Sequence, residues 1–219
     1  MTAGSGAPRV VILSSPSGGG KSTIANALLA ARPDTAYSVS ATTRAPRLGE
    51  QDGVDYHFVT RANFEDRRNA GEMLEWAEYS GHLYGTLKSE IDQVLAGGRH
   101  ALLDIEVDGA RQMRERRSDV VTIFVLPPSA EALIDRLGGR QSDSAEQVVG
   151  RIRRAIDEFG EVPHYDYVVV NDDLDVCVAE VSAIMDGDGT ALRAVENLKD
   201  RLADVRQGLR KYLDDVRAT

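Results

Sequence analysis

Between an apolar run and an amphipathic segment, the chain reads Ser15-Pro16-Ser17-Gly18-Gly19-Gly20-Lys21-Ser22-Thr23. Such a junction commits the fold around it. A buried strand must lead in, a helix must lead out, and the turn between them must present backbone N–H groups to an anion. Val10–Leu13 supplies the apolar strand, and Ile24, Ala27 and Leu28 begin a helical pattern. The template G-x-x-x-x-G-K-[ST] is intact in its second half, Gly20-Lys21-Ser22, whereas Ser15 stands where the first glycine belongs. Gly18, Gly19 and Gly20 still allow close approach of the main chain to phosphate oxygens. Lys21 is placed to reach β- and γ-phosphates, and the Ser22 hydroxyl to meet Mg2+.

The rest of the chain repeats this strand–helix rhythm. Strands are predicted at Val10–Ser14, Tyr37–Ser40, His100–Ile105, Val120–Leu126 and Tyr167–Asn171, each short, apolar and rich in β-branched residues. Helices are predicted over Lys21–Ala31, Ala62–Ala70, Lys88–Ala96, Gly109–Arg117, Ala130–Leu137, Ala145–Phe159 and Leu174–Met185. Near-continuous apolar strands separated by helices specify an α/β fold of the P-loop type, a mostly parallel sheet covered on both faces. From Ser40 to about Leu87 the rhythm fails and the sequence turns polar. There Met73, Glu75, Ala77 and Tyr79 are expected on one strand face and Leu74, Trp76 and Glu78 on the other. A small, partly antiparallel insertion between core strands is therefore expected.

Charge excludes some partners. With a formal net charge of −9, the chain is no general binder of nucleic acid or of membrane surfaces, both of which favour a basic balance. An anionic substrate then requires a local arginine cluster. Cys177 is the only cysteine, so no intramolecular disulfide forms. No apolar run approaches a membrane span, and a cytoplasmic enzyme-sized domain is expected.

Arginines do cluster. Ser38-Val-Ser40-Ala-Thr-Thr-Arg44-Ala-Pro46-Arg47 precedes Gly53-Val-Asp-Tyr56-His-Phe58. Arg44 and Arg47, held extended by Pro46, present two guanidinium forks suited to one phosphate. Asp104 and Glu106 lie at the carboxyl end of a buried strand, the edge where open α/β sheets bind ligands. There Asp104 contacts either substrate or, through water, Mg2+. Asp108 is read as the cap of the helix that follows. Arg136-Leu-Gly-Gly-Arg140 ends one helix on a glycine hinge, and Ser144 is the expected N-cap of the next, which carries Arg151. His57, His82, His100 and His164 are scattered and read as structural or surface residues.

The motifs S-x-S-x-T-T-R-x-P-R, G-x-D-Y-x-F, L-E-W-A and Y-G-T, in that order behind the phosphate loop, resemble those of the guanylate kinase family, bacterial type. The resemblance covers about residues 9–185, through Asn171. It implies an ATP:GMP phosphotransferase, acting also on dGMP, with Mg2+ as cofactor and no nucleic-acid or membrane partner. It implies that Ser40, Glu75 and Thr86 read the guanine and that Gly85 belongs to the same GMP site. Arg44, Arg47, Tyr56 and Tyr84 would grip the GMP phosphate near Asp104, and Ser15–Thr23 with Asn171 would hold ATP. Lys21, Arg44, Arg136, Arg140 and Arg151 would act on the transferred phosphoryl group, the last three in or beside a lid. Chemistry agrees: guanine offers N1–H and its exocyclic amine as adjacent donors, which one carboxylate accepts together, whereas adenine turns a lone pair toward it. The implied organisation is a domain over 8–187, with core 8–39, 99–137 and 157–187, an acceptor insertion 40–98 and a lid 138–156, followed by a helical extension 188–219. The rivals are a ribose-bisphosphate kinase on the same framework, which would lack the base-reading Glu, and a non-catalytic interaction module, which would lose the phosphate loop.

In the extension, Val195, Leu198, Leu202, Val205, Leu209, Tyr212 and Val216 follow a 3-4 alternation. This helix either docks on its own domain or pairs with a second copy through residues 190–219.

Overall fold

The computed structural model describes residues 7–79, 81–139, 144–188 and 197–217. Strands β1 (Val10–Ser14), β2 (Thr35–Tyr37), β7 (His100–Asp104), β8 (Val120–Leu126) and β9 (Tyr167–Val170) form a five-stranded sheet in the order β2-β7-β1-β8-β9. β2 pairs with β7 and β8 with β9 in parallel. All five residues of β1 are buried, as are the first four of β7 and the last five of β8. That is the burial of strands covered on both faces, and it explains why they read as unbroken apolar runs.

A second sheet, β4-β3-β6-β5, is built from β3 (Ala41–Thr42), β4 (His57–Phe58), β5 (Met73–Tyr79) and β6 (His82–Leu87). β6 runs antiparallel to both β3 and β5, while β3 and β4 are parallel. This is the expected mixed insertion, with one correction. The β5–β6 register slips between Met73 and Glu75, so Leu74 is an extra residue opposite nothing. The bulge turns Met73 to the side of Leu83 and Leu87, against which Trp76 packs, and off the face of Glu75. Strict alternation had put Met73 and Glu75 together.

Helices α1 (Lys21–Ala31), α2 (Arg61–Asn69), α3 (Lys88–Ala96), α4 (Val107–Arg116), α5 (Ala130–Gly138), α6 (Ala145–Glu158), α7 (Leu174–Met185) and α8 (Leu198–Arg217) complete the fold. Local chemistry sets several of their starts. Thr60, Ser129 and Asp173 accept N3 backbone N–H groups, and Ser144 forms a reciprocal capping box with Gln147. Asp108 does not cap α4. The N-cap position falls on Glu106, and Asp108 sits in the first turn, paired with Arg111 at 3.3 Å. β2 also ends at Tyr37, so Ser38 and Ser40 lie beyond the strand expected to contain them.

The chain divides into two compact units. One comprises Leu29–Val121 with the segment up to Ile12, and it holds the mixed sheet, β2, β7 and α2 to α4. The other comprises Leu13–Leu28 with the segment from Thr122 onward. In the latter, Phe124 packs on Phe159 and edge-on to Tyr165, with centroids 6.1 and 5.2 Å away. Asp166 joins β9 to β8 by accepting both the backbone N–H and the hydroxyl of Thr122 at 2.8 Å. There too α8 packs against α5 and α6. Its buried stripe is Val205, Leu209 and Leu213, while Val216 is exposed. The seam thus follows a four-residue step through Leu213 and not the 3-4 alternation, leaving Tyr212 half-buried and Val216 exposed.

Candidate active site

The phosphate loop lies in the unit that contains Leu13–Leu28. Gly18 and Gly20 have φ of +84° and +93°, which side-chain-bearing residues rarely adopt. At Gly20 a Cβ would also lie 2.3 Å from Asn171 Nδ2. Ser15 needs no such freedom: among the described residues only Asn197 has a positive φ without being glycine. Buried Ser15 donates its hydroxyl to the Pro16 carbonyl at 3.0 Å, and the Gly19 N–H donates to that same carbonyl at 2.8 Å. The departure from the template at Ser15 thus leaves the turn intact. Lys21 and Ser22 open α1, Lys21 half-buried and Ser22 and Thr23 exposed.

Three residues far along the chain converge on this loop. Asn171, at the end of β9, donates its amide to the Gly19 carbonyl at 2.8 Å. Arg136, in the last turn of α5, donates Nη2 to the Asn171 carbonyl at 3.2 Å, and its Nη1 is buried without a hydrogen-bond partner. Arg151, on α6, donates Nε and Nη2 to the Ser17 hydroxyl at 3.0 and 2.8 Å. Arg136 and Arg151 are thereby brought to the glycine turn. Arg140 lies outside the described residues.

The second cluster belongs to the other unit. Glu75, on β5, is 5% exposed, and its Oε1 accepts the hydroxyl proton of the neighbouring-strand residue Thr86 at 2.6 Å. Burial pushes the Glu75 carboxyl up to about 7, against the opposing pull of the Thr86 hydrogen bonds and the Arg116 charge. A surface charge facing a lysine would show neither feature. Gly85 is buried beside it on β6, and half-buried Ser40 precedes β3, its carbonyl accepting the His57 N–H at 2.9 Å.

Arg44 lies over the rings of Tyr56 and Phe58, 5.4 and 5.8 Å from their centroids, and Tyr56 meets Tyr84 edge-on at 6.0 Å. Its guanidinium is engaged: Nη1 and Nη2 each bond a Glu50 oxygen at 2.9 Å, and Nη1 also donates to the Ala45 carbonyl at 2.8 Å. The ion pair holds Glu50 below the ordinary carboxylate range and Arg44 above its ordinary value. Arg47 is exposed; its backbone joins the group, its N–H donating to Glu50 Oε2 at 2.7 Å and its carbonyl accepting the Glu50 N–H at 3.1 Å. The two forks are therefore not equivalent. Asp104, at the end of β7, accepts a hydrogen bond from the Tyr37 hydroxyl. Burial first, then the Asp104 charge, raises the Tyr37 and Tyr56 phenols above their usual values.

Glu50 and Tyr37 were not singled out from sequence. A carboxylate just beyond the Arg44–Arg47 turn is a signal for Glu50. Tyr37 carried none, because its reach to Asp104 depends on the β2–β7 register, Tyr37 opposite Leu102. Among the described residues no cluster of His, Cys, Asp and Glu suits a metal ion held by protein alone. A hydroxyl such as Ser22 at a phosphate loop instead fits Mg2+ carried in on nucleotide phosphates.

Comparison with known proteins bears on this pair of clusters. The family model described as Guanylate kinase matches residues 7–188. A guanylate kinase of Paramagnetospirillum magneticum is 46% identical over 200 residues, covering 91% of this chain and 94% of that protein. One from Rubrobacter xylanophilus is 47% identical over 177 residues, covering 81% and 93%. The crystal structure of guanylate kinase from Anaplasma phagocytophilum superposes with a TM-score of 0.66 at 34% identity, covering 90% of this chain and 94% of that one.

Proposed function

The chain belongs to the guanylate kinase family, and from that premise we propose how its residues carry the γ-phosphoryl group of ATP to GMP. It is a nucleoside monophosphate kinase. In the step, an oxygen of the GMP phosphate forms a bond to the γ-phosphorus, the bond from γ-phosphorus to the β,γ-bridging oxygen breaks, and ADP leaves with that electron pair. The GMP phosphate is largely a dianion at neutral pH, its second pKa being about 6, so no general base is required. Catalysis then reduces to positioning and to neutralising the γ-oxygens.

For the donor, the N–H groups of Gly18, Gly20, Lys21 and Ser22 cradle the phosphates, Lys21 reaches the β- and γ-oxygens, and Ser22 would hold Mg2+. Bound there, that ion would neutralise charge on the β- and γ-phosphates. Arg136 has a buried donor unspent, Nη1, and Arg151 must turn from Ser17 toward phosphate as nucleotide arrives. Residues 138–156, with Arg140, act as the lid, and dGMP is accepted alongside GMP. For the acceptor, Tyr56, Tyr84, Arg44 and Arg47 take the phosphate, Arg47 swinging in from solvent while Glu50 fixes Arg44. Asp104, steadied by Tyr37, faces the same nucleotide. Among the described residues no helix is long and apolar enough to cross a membrane.

The observation that carries the reading is the Glu75–Thr86 pair. One buried carboxylate oxygen is already satisfied by a hydroxyl, and the carboxylate requires further donors in order to ionise. Guanine N1–H and N2–H supply two. Adenine supplies a lone pair and leaves the charge unpaired, which costs on the order of 10²-fold in selectivity. A coupled assay against GMP, dGMP, AMP, UMP and ribose bisphosphate tests this, with turnover expected on GMP and dGMP. Equal turnover of AMP would defeat the Glu75 assignment. Lys21→Met is expected to remove most of kcat and spare the fold; unchanged kcat would mean that the phosphate loop does not serve the donor.

A further inference from the structure

We propose that one face of α4, formed by Gly109, Gln112 and Arg116, positions the purine-reading carboxylate of Glu75 and thereby sets the preference for GMP over AMP. The inference deepens the assignment of Glu75 made above and rests on it.

β5 is the edge strand of the mixed sheet, paired on one side with β6. Its other edge presents N–H and C=O groups that need partners. α4 supplies them with side chains. Gln112 acts as a substitute peptide unit: Oε1 accepts the Trp76 N–H at 3.3 Å, and Nε2 donates to the Trp76 carbonyl at 2.9 Å. One turn on, Arg116 Nη1 donates to the Met73 carbonyl at 3.2 Å and the Leu74 carbonyl at 2.6 Å. The contacts fall on both sides of Glu75, and the bulge residue Leu74 receives the shortest of them. A slipped register turns a strand's side chains to the opposite face, so a bulge beside Glu75 must be held in place if its carboxylate is to stay aimed.

Gly109 acts on the carboxylate itself. A Cβ there would lie 2.8 Å from Glu75 Oε2, closer than such atoms pack, and 3.3 Å from its Cδ. The first turn of α4 therefore forms the wall against which the second carboxylate oxygen rests. Gly109, Gln112 and Arg116 sit at i, i+3 and i+7, one helical stripe. That stripe sets clearance at the carboxylate, backbone position just after it, and bulge geometry just before it. Arg116 also opposes the effect of burial on Glu75, favouring the charged form that two guanine donors require. Accepting two donors at once is sensitive to aim, and an error of about 1 Å costs about 10²-fold.

The test is a selectivity measurement on Gly109→Ala and Gln112→Met, with Arg116→Lys as the conservative variant. Both of the first two should raise KM for GMP roughly 10- to 100-fold and lower the GMP/AMP ratio of kcat/KM correspondingly. KM for ATP should move less than about twofold, since the donor loop is untouched. Arg116→Lys retains a cationic donor for the Met73 and Leu74 carbonyls and should hold the ratio near that of the parent. An unchanged GMP/AMP ratio, or equal rises in KM for both substrates, would overturn the proposal and reduce these residues to scaffold. If Gly109→Ala does not fold, half-buried Gln112 decides alone, because Met fills its place without a hydrogen bond. Glu75→Gln, run in parallel, separates the two claims. If it keeps the preference for GMP, the base-reading assignment itself has failed. If it abolishes the preference while the α4 variants retain it, only the positioning role has failed.

Discussion

Glu75 is the residue where fold and function conflict. Its carboxyl is driven to about 7 in the folded chain from an ordinary value of 4.5, so between those values the native state holds more protons than the unfolded one. Stability therefore declines as pH rises across that window, is unpenalised below 4.5, where both states are protonated, and carries the full penalty above 7. Glu75→Gln, neutral at every pH, should flatten that decline in thermal melts; an unchanged slope would show that the carboxyl is not the titrating group. The same variant should cost GMP about 10²-fold in kcat/KM, measured at neutral pH. At this scale much was legible in sequence, because Glu75, Thr86, Arg44 and Asp104 sit in motifs with their own chemistry. Glu50, Tyr37 and Gly109 were not, since their importance lies in what they touch: a guanidinium, a carboxylate across a strand pair, and a clearance that no spacing reveals.

Among the elements, α6 joins a clear start signal to a site residue. Its capping box, Ser144 with Gln147, satisfies N–H groups at the helix start and sets the helix that brings Arg151 to Ser17. Ser144→Ala should cost about 1 kcal/mol, or about 2–4 °C in melting temperature for a chain of this size. A larger loss, or none, would show that the cap does not act alone. Arg151→Met should lower kcat by about 10²-fold or more with little change in KM for GMP, because its guanidinium is bonded to Ser17 of the donor loop. Loss of GMP affinity alone would overturn its assignment to the donor. Helix and strand boundaries were readable to within a few residues wherever caps or continuous apolar runs marked them, as at α1 and β8. They failed where tertiary register intervened: the β5 bulge and the early end of β2 arise from pairing partners, which local composition does not encode.

For the chain as a unit, the decisive finding is where α8 rests. Val205, Leu209 and Leu213 are buried as α8 lies on α5 and α6, so its apolar stripe is already covered by its own chain. Gel filtration should therefore give a monomer mass; a dimer that dissociates when residues 190–219 are removed would show instead that this helix pairs in trans. Removing the helix should expose the α5 and α6 surfaces beneath Leu209 and lower the melting temperature. The amphipathic pattern showed from sequence that the helix docks somewhere. It could not show on what, since cis and trans seams differ only in the drift between periods of 3.5 and 3.6.

Asn171, Arg136 and Arg151 brace a loop that is translated long before them. On the ribosome, the Ser15–Thr23 turn must emerge without these braces, and it stays incomplete until the distal part of the chain has left the exit tunnel. A nascent chain halted after β8 should therefore bear the whole Ser15–Thr23 loop yet capture no nucleotide, so that only finished molecules draw on the cell's ATP.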